Sequence, residues 1–222
     1  MGGRIAGFLA DATEFLPILL QGLWLTVLVT LGSLVLSTVL GMLWALMRVS
    51  GIAAAARPAA AVVNVIRGIP IIVQLFFIYF VLPDYGIALS ALQAAIVGLG
   101  IAYSAYQAEN FRAGIEAIGP GQREAAASMG MSWWLIMRLV VLPQAVRVVL
   151  PSYGNVLVML LKDSSQASTI TVAELTLKGK LIASASFKNT SVFTLVALLY
   201  LVMSLPLIYG VGRLERRLAR SR

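Results

Sequence analysis

The stretch from Leu19 to Met47 contains no charged residue, and this limits the possible folds more than any other feature of the chain. About 20 apolar residues suffice to cross a hydrocarbon core as a helix, in which backbone N–H groups find their carbonyls internally. Residues 19–47 therefore read as a membrane span. Further apolar stretches follow at 69–82, 87–108, 145–161 and 192–211, with a broken apolar segment at 59–66 before the second. Composition agrees, since 60% of the 222 residues are hydrophobic and 12% charged, well outside the usage of a water-soluble domain. The expected fold class is all-α integral membrane, about five transmembrane helices in one domain over 1–222. Arg4, Asp11 and Glu14 interrupt the apolar pattern before the first span. The chain start therefore does not resemble a cleavable signal peptide, and the first span is expected to anchor the protein.

Several spans carry local instructions. Ser33, Ser37 and Gly41 recur every four residues, and Gly98, Ala102 and Ala105 form a second narrow face; such stripes let another helix approach closely. In the second apolar region Arg67, Gly68 and Pro70 fall together. Proline removes an internal hydrogen bond and disfavours helical geometry at Ile69, so a broken helix is one reading, of the kind that exposes backbone to a substrate path. The simpler reading is that Arg67 marks a membrane edge and the span begins after it. Pro83 to Gly86 reads as a tight turn. Glu109 ends the third span, either paired with a neighbouring arginine or reaching to water. The fourth is expected to kink at Pro143 and Pro151, with Trp133 and Trp134 at the headgroup level.

A polar segment interrupts this lipid-compatible pattern. Pro120 suits the first turn of a helix, and Glu124 is placed to meet the positive end of its dipole. Gly130 can stop that helix in a left-handed conformation, and Ser132 can cap the next. A short surface helix over 121–130 is expected, which as local structure alone would be an ordinary connector. Further on, Lys162 to Ser168 is almost wholly polar, and Thr171 with Glu174 has capping-box spacing for a short helix running toward Ser186.

The chain has no cysteine and no histidine. That excludes disulfides, thiolate or imidazole metal sites, and Ser-His or Cys-His catalysis; no metal site is expected. Basic residues give a net charge of +8 but cluster at the ends of apolar runs, so membrane topology and anionic lipid explain them better than nucleic acid. With the N-terminus outside, eleven fall on the inner side: Arg48, Arg57, Arg112, Arg123, Arg138, Arg147, and Arg213, Arg216, Arg217, Arg220 and Arg222 of the tail. Five fall outside: Arg4, Lys162, Lys178, Lys180 and Lys188, with Arg67 unassigned. The count puts the C-terminus and the short helix in the cytoplasm.

These residues resemble a known family, the transmembrane permease subunits of ATP-binding cassette importers, in the branch that takes up polar amino acids, opines and related compounds. The resemblance covers nearly the whole chain. Its most specific part is Glu124-Ala125-Ala126, Gly130, Val140 and Leu142-Pro143, with Val140 where isoleucine is commoner. Arg67 to Gln74, Ser104 to Glu109 and Leu161 to Ser165 are similar to the amino-acid branch.

The resemblance implies the fold of the type I importers, with 121–130 as a coupling helix that Glu124, Ala125, Ala126 and Gly130 fit into a groove of the ATPase. It also implies a second permease subunit, identical or paralogous, two cytoplasmic ATPase subunits, an extracytoplasmic solute-binding protein and a bacterial inner-membrane location. The chain has no Gly-x4-Gly-Lys-Ser/Thr sequence, so ATP and Mg are expected on the partner and no cofactor on this chain. For cargo, the resemblance points to Asp163, Ser164, Ser165 and Asn155: Asp163 would take the substrate ammonium, the others its carboxylate. The competing reading is that Asp163 pairs with Lys162 or caps a helix end. Val156 stands where many members have a glutamate, which disfavours arginine-like cargo. The rival classes are a membrane-embedded enzyme using Asp84, Glu109 and Asp163, for which little catalytic chemistry remains, and a passive channel or structural membrane subunit.

Overall fold

The computed structural model describes residues 2–219, with side chains from 5 to 218. Arg4, Arg220 and Arg222, counted above for orientation, have side chains outside the described residues. The elements are α1 (Gly2–Val49), α2 (Ala53–Gly68), α3 (Ile71–Phe76), α4 (Ala91–Glu116), α5 (Pro120–Ser128), α6 (Trp133–Ile136), α7 (Leu142–Asp163), α8 (Leu175–Ser186) and α9 (Asn189–Ala219), and no strand occurs among the described residues. Three continuous helical runs are long and apolar enough to cross a membrane: residues 5–49, 133–170 and 189–218. The α2–α3 pair would be a fourth, bent by 100° at its break.

The remaining expected crossing, the third in the chain and here α4, is less apolar for a physical reason. Its 26 residues reach about 39 Å, long enough to cross, but protein rather than lipid surrounds much of it. Ser104 and Gln107 are fully buried in it, with Leu99, Tyr103 and Ile115. A helix shielded in this way has no need of an all-apolar surface. It starts at Ala91 instead of Ile87 because Ser90 closes a capping box with Gln93, whose side-chain oxygen accepts from the Ser90 N–H at 3.0 Å.

The small-residue stripe of α1 is what α4 packs against. A side chain at Gly41 would lie 2.6 Å from Gln107 Cβ and 2.9 Å from the Ser104 carbonyl, and Ser33 donates to the Ile96 carbonyl at 3.2 Å. On the other face of α4, Gly98 admits Leu75 of α3, while Ala105 and Ala108 receive Val63 of α2. Helix α7 packs on α4 and α9, and α8 fills the angle between α1 and α9.

One cap differs from expectation. Thr171 is not the N-cap of α8; it adopts a left-handed conformation at φ 67°. Glu174 takes that role instead, its carboxylate accepting from the N–H groups of Thr176 at 2.8 Å and Leu177 at 2.9 Å. The preceding 3₁₀ turn, Ser164–Ile170, ends on Thr171 as its left-handed C-cap, so Thr171 lacks the extended backbone an N-cap requires. Glu174 is fully buried and is satisfied further by the hydroxyl of Tyr200 at 2.9 Å, from α9.

Candidate functional site

Two places stand out: the short helix α5 and a cleft beside the break between α2 and α3. Helix α5 begins at Pro120 in its first turn and is followed by Gly130 at φ +77°, a conformation that an L side chain adopts only at a cost. Ser132 then caps α6, accepting from the Leu135 N–H at 3.4 Å. Glu124, the fifth residue of α5, lies beyond its first turn, so the dipole argument made for it carries little weight. Its position matters more: Glu124, Ala125 and Ser128 are exposed and Met129 is 77% exposed, whereas Ala126 points inward at 3%.

Ala126 is the peg that seats α5. It enters a core of Ile115, Ile118, Ile136, Met137, Val141 and Ala145, contributed by the end of α4 and the loop after it, by α6 and the turn that follows it, and by the start of α7. Polar ties fix the same seat. Arg123 donates to the carbonyls of Ile115 at 2.5 Å and Ile118 at 3.4 Å, which takes up C-terminal acceptors of α4. Gln144 donates to Gln122 at 2.5 Å and to the Val140 carbonyl at 2.8 Å. Val140 lies in a π-helical turn, Met137–Val141, directly before Pro143 in the first turn of α7. The Gly130, Val140 and Leu142-Pro143 pattern thus builds the joint that carries α5 on α7, with one outward face left free.

The cleft has a volume of about 360 Å³ and is lined by residues including Arg67, Tyr103, Tyr106, Glu109, Ser152 and Asn155. The chain breaks on its rim: α2 ends at Gly68, Ile69 is extended, and Pro70 caps α3. Gln74 satisfies the carbonyls that the break sets free, donating to Ile66 at 2.8 Å and Ile69 at 2.9 Å. Glu109 is the electrostatic hub. Arg48 donates to it at 2.8 Å and Arg112 in a fork at 2.8 and 3.0 Å, while Arg67 reaches it at 3.3 Å. One carboxylate therefore joins the C-terminal end of α1, the last turn of α2, and α4. Arg67 is the outlier, 44% exposed and placed over the Tyr106 ring at 5.8 Å. It lies at the break and also binds Glu109.

The cargo candidates are spread differently. Asn155 lines the cleft. Asp163 does not pair with Lys162; it accepts from Tyr103 at 2.6 Å, and Tyr103 itself lines the cleft. Ser164 is turned away, fully buried with its hydroxyl donating to the Leu161 carbonyl at 2.7 Å. Ser165 is half-buried in the 3₁₀ turn and does not line the cleft. Tyr103 is not singled out in the sequence, because its partner Asp163 lies 60 residues away on another helix. Gln74 stands in the Arg67 to Gln74 stretch, but its spacing does not assign it to the carbonyls of Ile66 and Ile69.

Known proteins are similar to this chain in sequence and in fold. Residues 37–220 match the family model described as "binding-protein-dependent transport system inner membrane component". A probable amino-acid ABC transporter permease of Bacillus subtilis, YckA, is 40% identical over 189 residues, covering 85% of this chain and 84% of that one. The glutamine transport system permease GlnP of Escherichia coli K12 is 38% identical over 209 residues, covering 91% and 94%. Among solved structures, an amino acid ABC transporter crystallised with histidines superposes with a TM-score of 0.86 at 36% identity, covering 94% and 97%. The inward-facing MetNI methionine transporter gives 0.77 at 26%, covering 92% and 98%. The matched segment contains the α2–α3 elbow, the cleft and the seat of α5, and the relatives are covered nearly end to end. The chain therefore belongs to the inner-membrane permease components of binding-protein-dependent ABC import systems, a transport family rather than a catalytic one.

Proposed function

We propose that this chain is one membrane-spanning half of an importer for a polar amino acid or related compound. Two such halves flank a shared path, and two cytosolic ATPases that hold the ATP and Mg drive it by alternating access. The chain itself holds no cofactor. The N-terminus faces outward, where a solute-binding protein delivers cargo, and the C-terminus and α5 face the cytoplasm. The observation that carries this reading is the seat of α5. A short helix pinned by Ala126, Arg123 and Gln122 onto α4 and α7 moves with them as one body, so a partner gripping its exposed face displaces the cleft-lining helices directly. Glu124, Ala125 and Gly130 supply that outward face and its stop, and Ala126 its anchor. Cargo passes by the cleft, where Asn155 meets its polar groups, Arg67 flanks the path, and Asp163 sets the Tyr103 hydroxyl. Ser165 follows in the 3₁₀ turn after Asp163.

The test is uptake into proteoliposomes containing the chain with its cognate ATPase and binding protein, with glutamine as the first probe because GlnP is a relative. Accumulation that requires ATP, ATPase and binding protein together supports the proposal. Equilibration without ATP would make the chain a passive channel. Absence of uptake across a panel of amino acids, despite assembly, would make it a structural subunit.

A further inference from the structure

The inner end of α9 contains a feature that transport does not explain. Val202, Leu205, Tyr209, Arg213 and Arg216 follow one another at intervals of three and four residues and so form a single stripe. All five side chains are exposed: Val202 66%, Leu205 51% and Tyr209 58%, with both arginines exposed as well. Along one face the surface passes from apolar to aromatic to cationic within four helical turns. Arg217 joins at the cationic end, where it lines a polar recess of about 440 Å³ with Tyr209, Arg213 and Arg216. The Arg213 guanidinium stacks over the Tyr209 ring at 5.0 Å. None of the three arginines has a carboxylate within ion-pair distance among the described residues, and by helical phase Glu215 falls on the other side of the helix.

We propose that this stripe is a binding site for one anionic phospholipid. The acyl chains lie along Val202 and Leu205, Tyr209 sits at the glycerol level, and Arg213, Arg216 and Arg217 hold the phosphodiester. Guanidinium forks match phosphate oxygens bidentately, and tyrosine belongs at a membrane–water boundary. A free phosphate would use the same arginines but gain nothing from Val202 and Leu205. The continuity of the apolar and cationic surfaces therefore favours the lipid. Each basic group near an anionic leaflet favours it roughly fivefold, so three give on the order of a hundredfold preference over a zwitterionic lipid.

Native mass spectrometry of the full chain released from detergent tests this. The probes are phosphatidylglycerol, phosphatidylcholine of the same chain length, and inorganic phosphate. Selective retention of one phosphatidylglycerol is expected, with at least a tenfold loss of selectivity in Arg213→Gln/Arg216→Gln/Arg217→Gln and substantial retention in the matching triple lysine variant, which also controls for folding. Equal retention of the two lipids, unchanged selectivity in the glutamine variant, or displacement of phosphatidylglycerol by millimolar phosphate would overturn the proposal. So would efficient cross-linking of Arg213→Cys to the ATPase subunit, since a protein partner would then cover the face.

Discussion

Replacing Glu109 by glutamine removes the one charge on which three arginines converge while keeping the size of the side chain. Arg48 and Arg112 meet it at 2.8 Å and are only 16% and 31% exposed, whereas Arg67 lies at 3.3 Å and is 44% exposed. A hydrogen bond between charged groups contributes about 1.5–3 kcal/mol, and a guanidinium left half-buried without its partner costs more than the lost bond. Glu109 is itself 23% exposed, so water relieves part of that cost, and Glu116 still pairs with Arg112. The expected destabilisation is about 2–3 kcal/mol for Glu109→Gln, about 1–2 for Arg48→Gln, and within about 0.5 for Arg67→Gln, which behaves as a surface pair. Unfolding of the purified chain by sodium dodecyl sulfate, followed by circular dichroism, measures each change. The double variant Glu109→Gln/Arg48→Gln should cost less than the sum of the single variants, because the two residues share one interaction. Additive effects, or Arg67→Gln costing as much as Arg48→Gln, would refute the hub.

Other expectations rest on single contacts. At Gly130 an added Cβ meets nothing within 4 Å, but φ is +77°, so Gly130→Ala should cost about 1 kcal/mol for conformation alone, while Gly121→Ala, equally open and free of that constraint, should be neutral or stabilising; chemical denaturation of both variants checks this. Gly41→Val places its Cβ 2.6 Å from Gln107 Cβ and close to backbone, and should cost about 1–3 kcal/mol by forcing α1 from α4, against no loss for Gly7→Ala in open space. Asp11 accepts from Lys188 at 2.6 Å and holds its ammonium above the usual lysine range. A raised folded-state pKa gives stability that is present below the unfolded value of about 10.4 and lost as pH climbs through the folded one. The melting difference between wild type and Lys188→Ala should therefore be flat near neutrality and shrink only above about pH 10; a decline between pH 6 and 9 would contradict the pairing.

The sequence carried the local rules well and the long-range ones poorly. Pro120, Gly130 and Ser132 bound their helices through their own backbones, and Gly68-Ile69-Pro70 breaks one, so each could be read where it stood. The stripe of Ser33, Ser37 and Gly41 announced a close approach but not its partner, because spacing gives a face and not what covers it. Thr171 and Glu174 show how local reasoning fails: the spacing suited a capping box, yet the 3₁₀ turn before them drove Thr171 left-handed and made Glu174 the cap. For Asp163 the sequence offers the cargo ammonium, Lys162 or a helix end as partners, but the hydroxyl that it accepts from, Tyr103, lies on another helix. Ala126 could not be told from Ala125 or Ala127, since only the core beneath α5 separates the inward alanine from the outward ones.

That separation permits the most direct test of the central claim, that the outer face of α5 is gripped by an ATPase. The chain has no cysteine of its own, so a single introduced thiol reports one position. In inner-membrane vesicles containing the cognate ATPase, Met129→Cys and Ala125→Cys should cross-link to that subunit with a short bifunctional reagent, and Ala126→Cys, turned into the core, should not. The account is contradicted if no position on α5 captures the ATPase in assembled complexes, or if Met129→Cys is labelled by an impermeant thiol reagent from the periplasmic side.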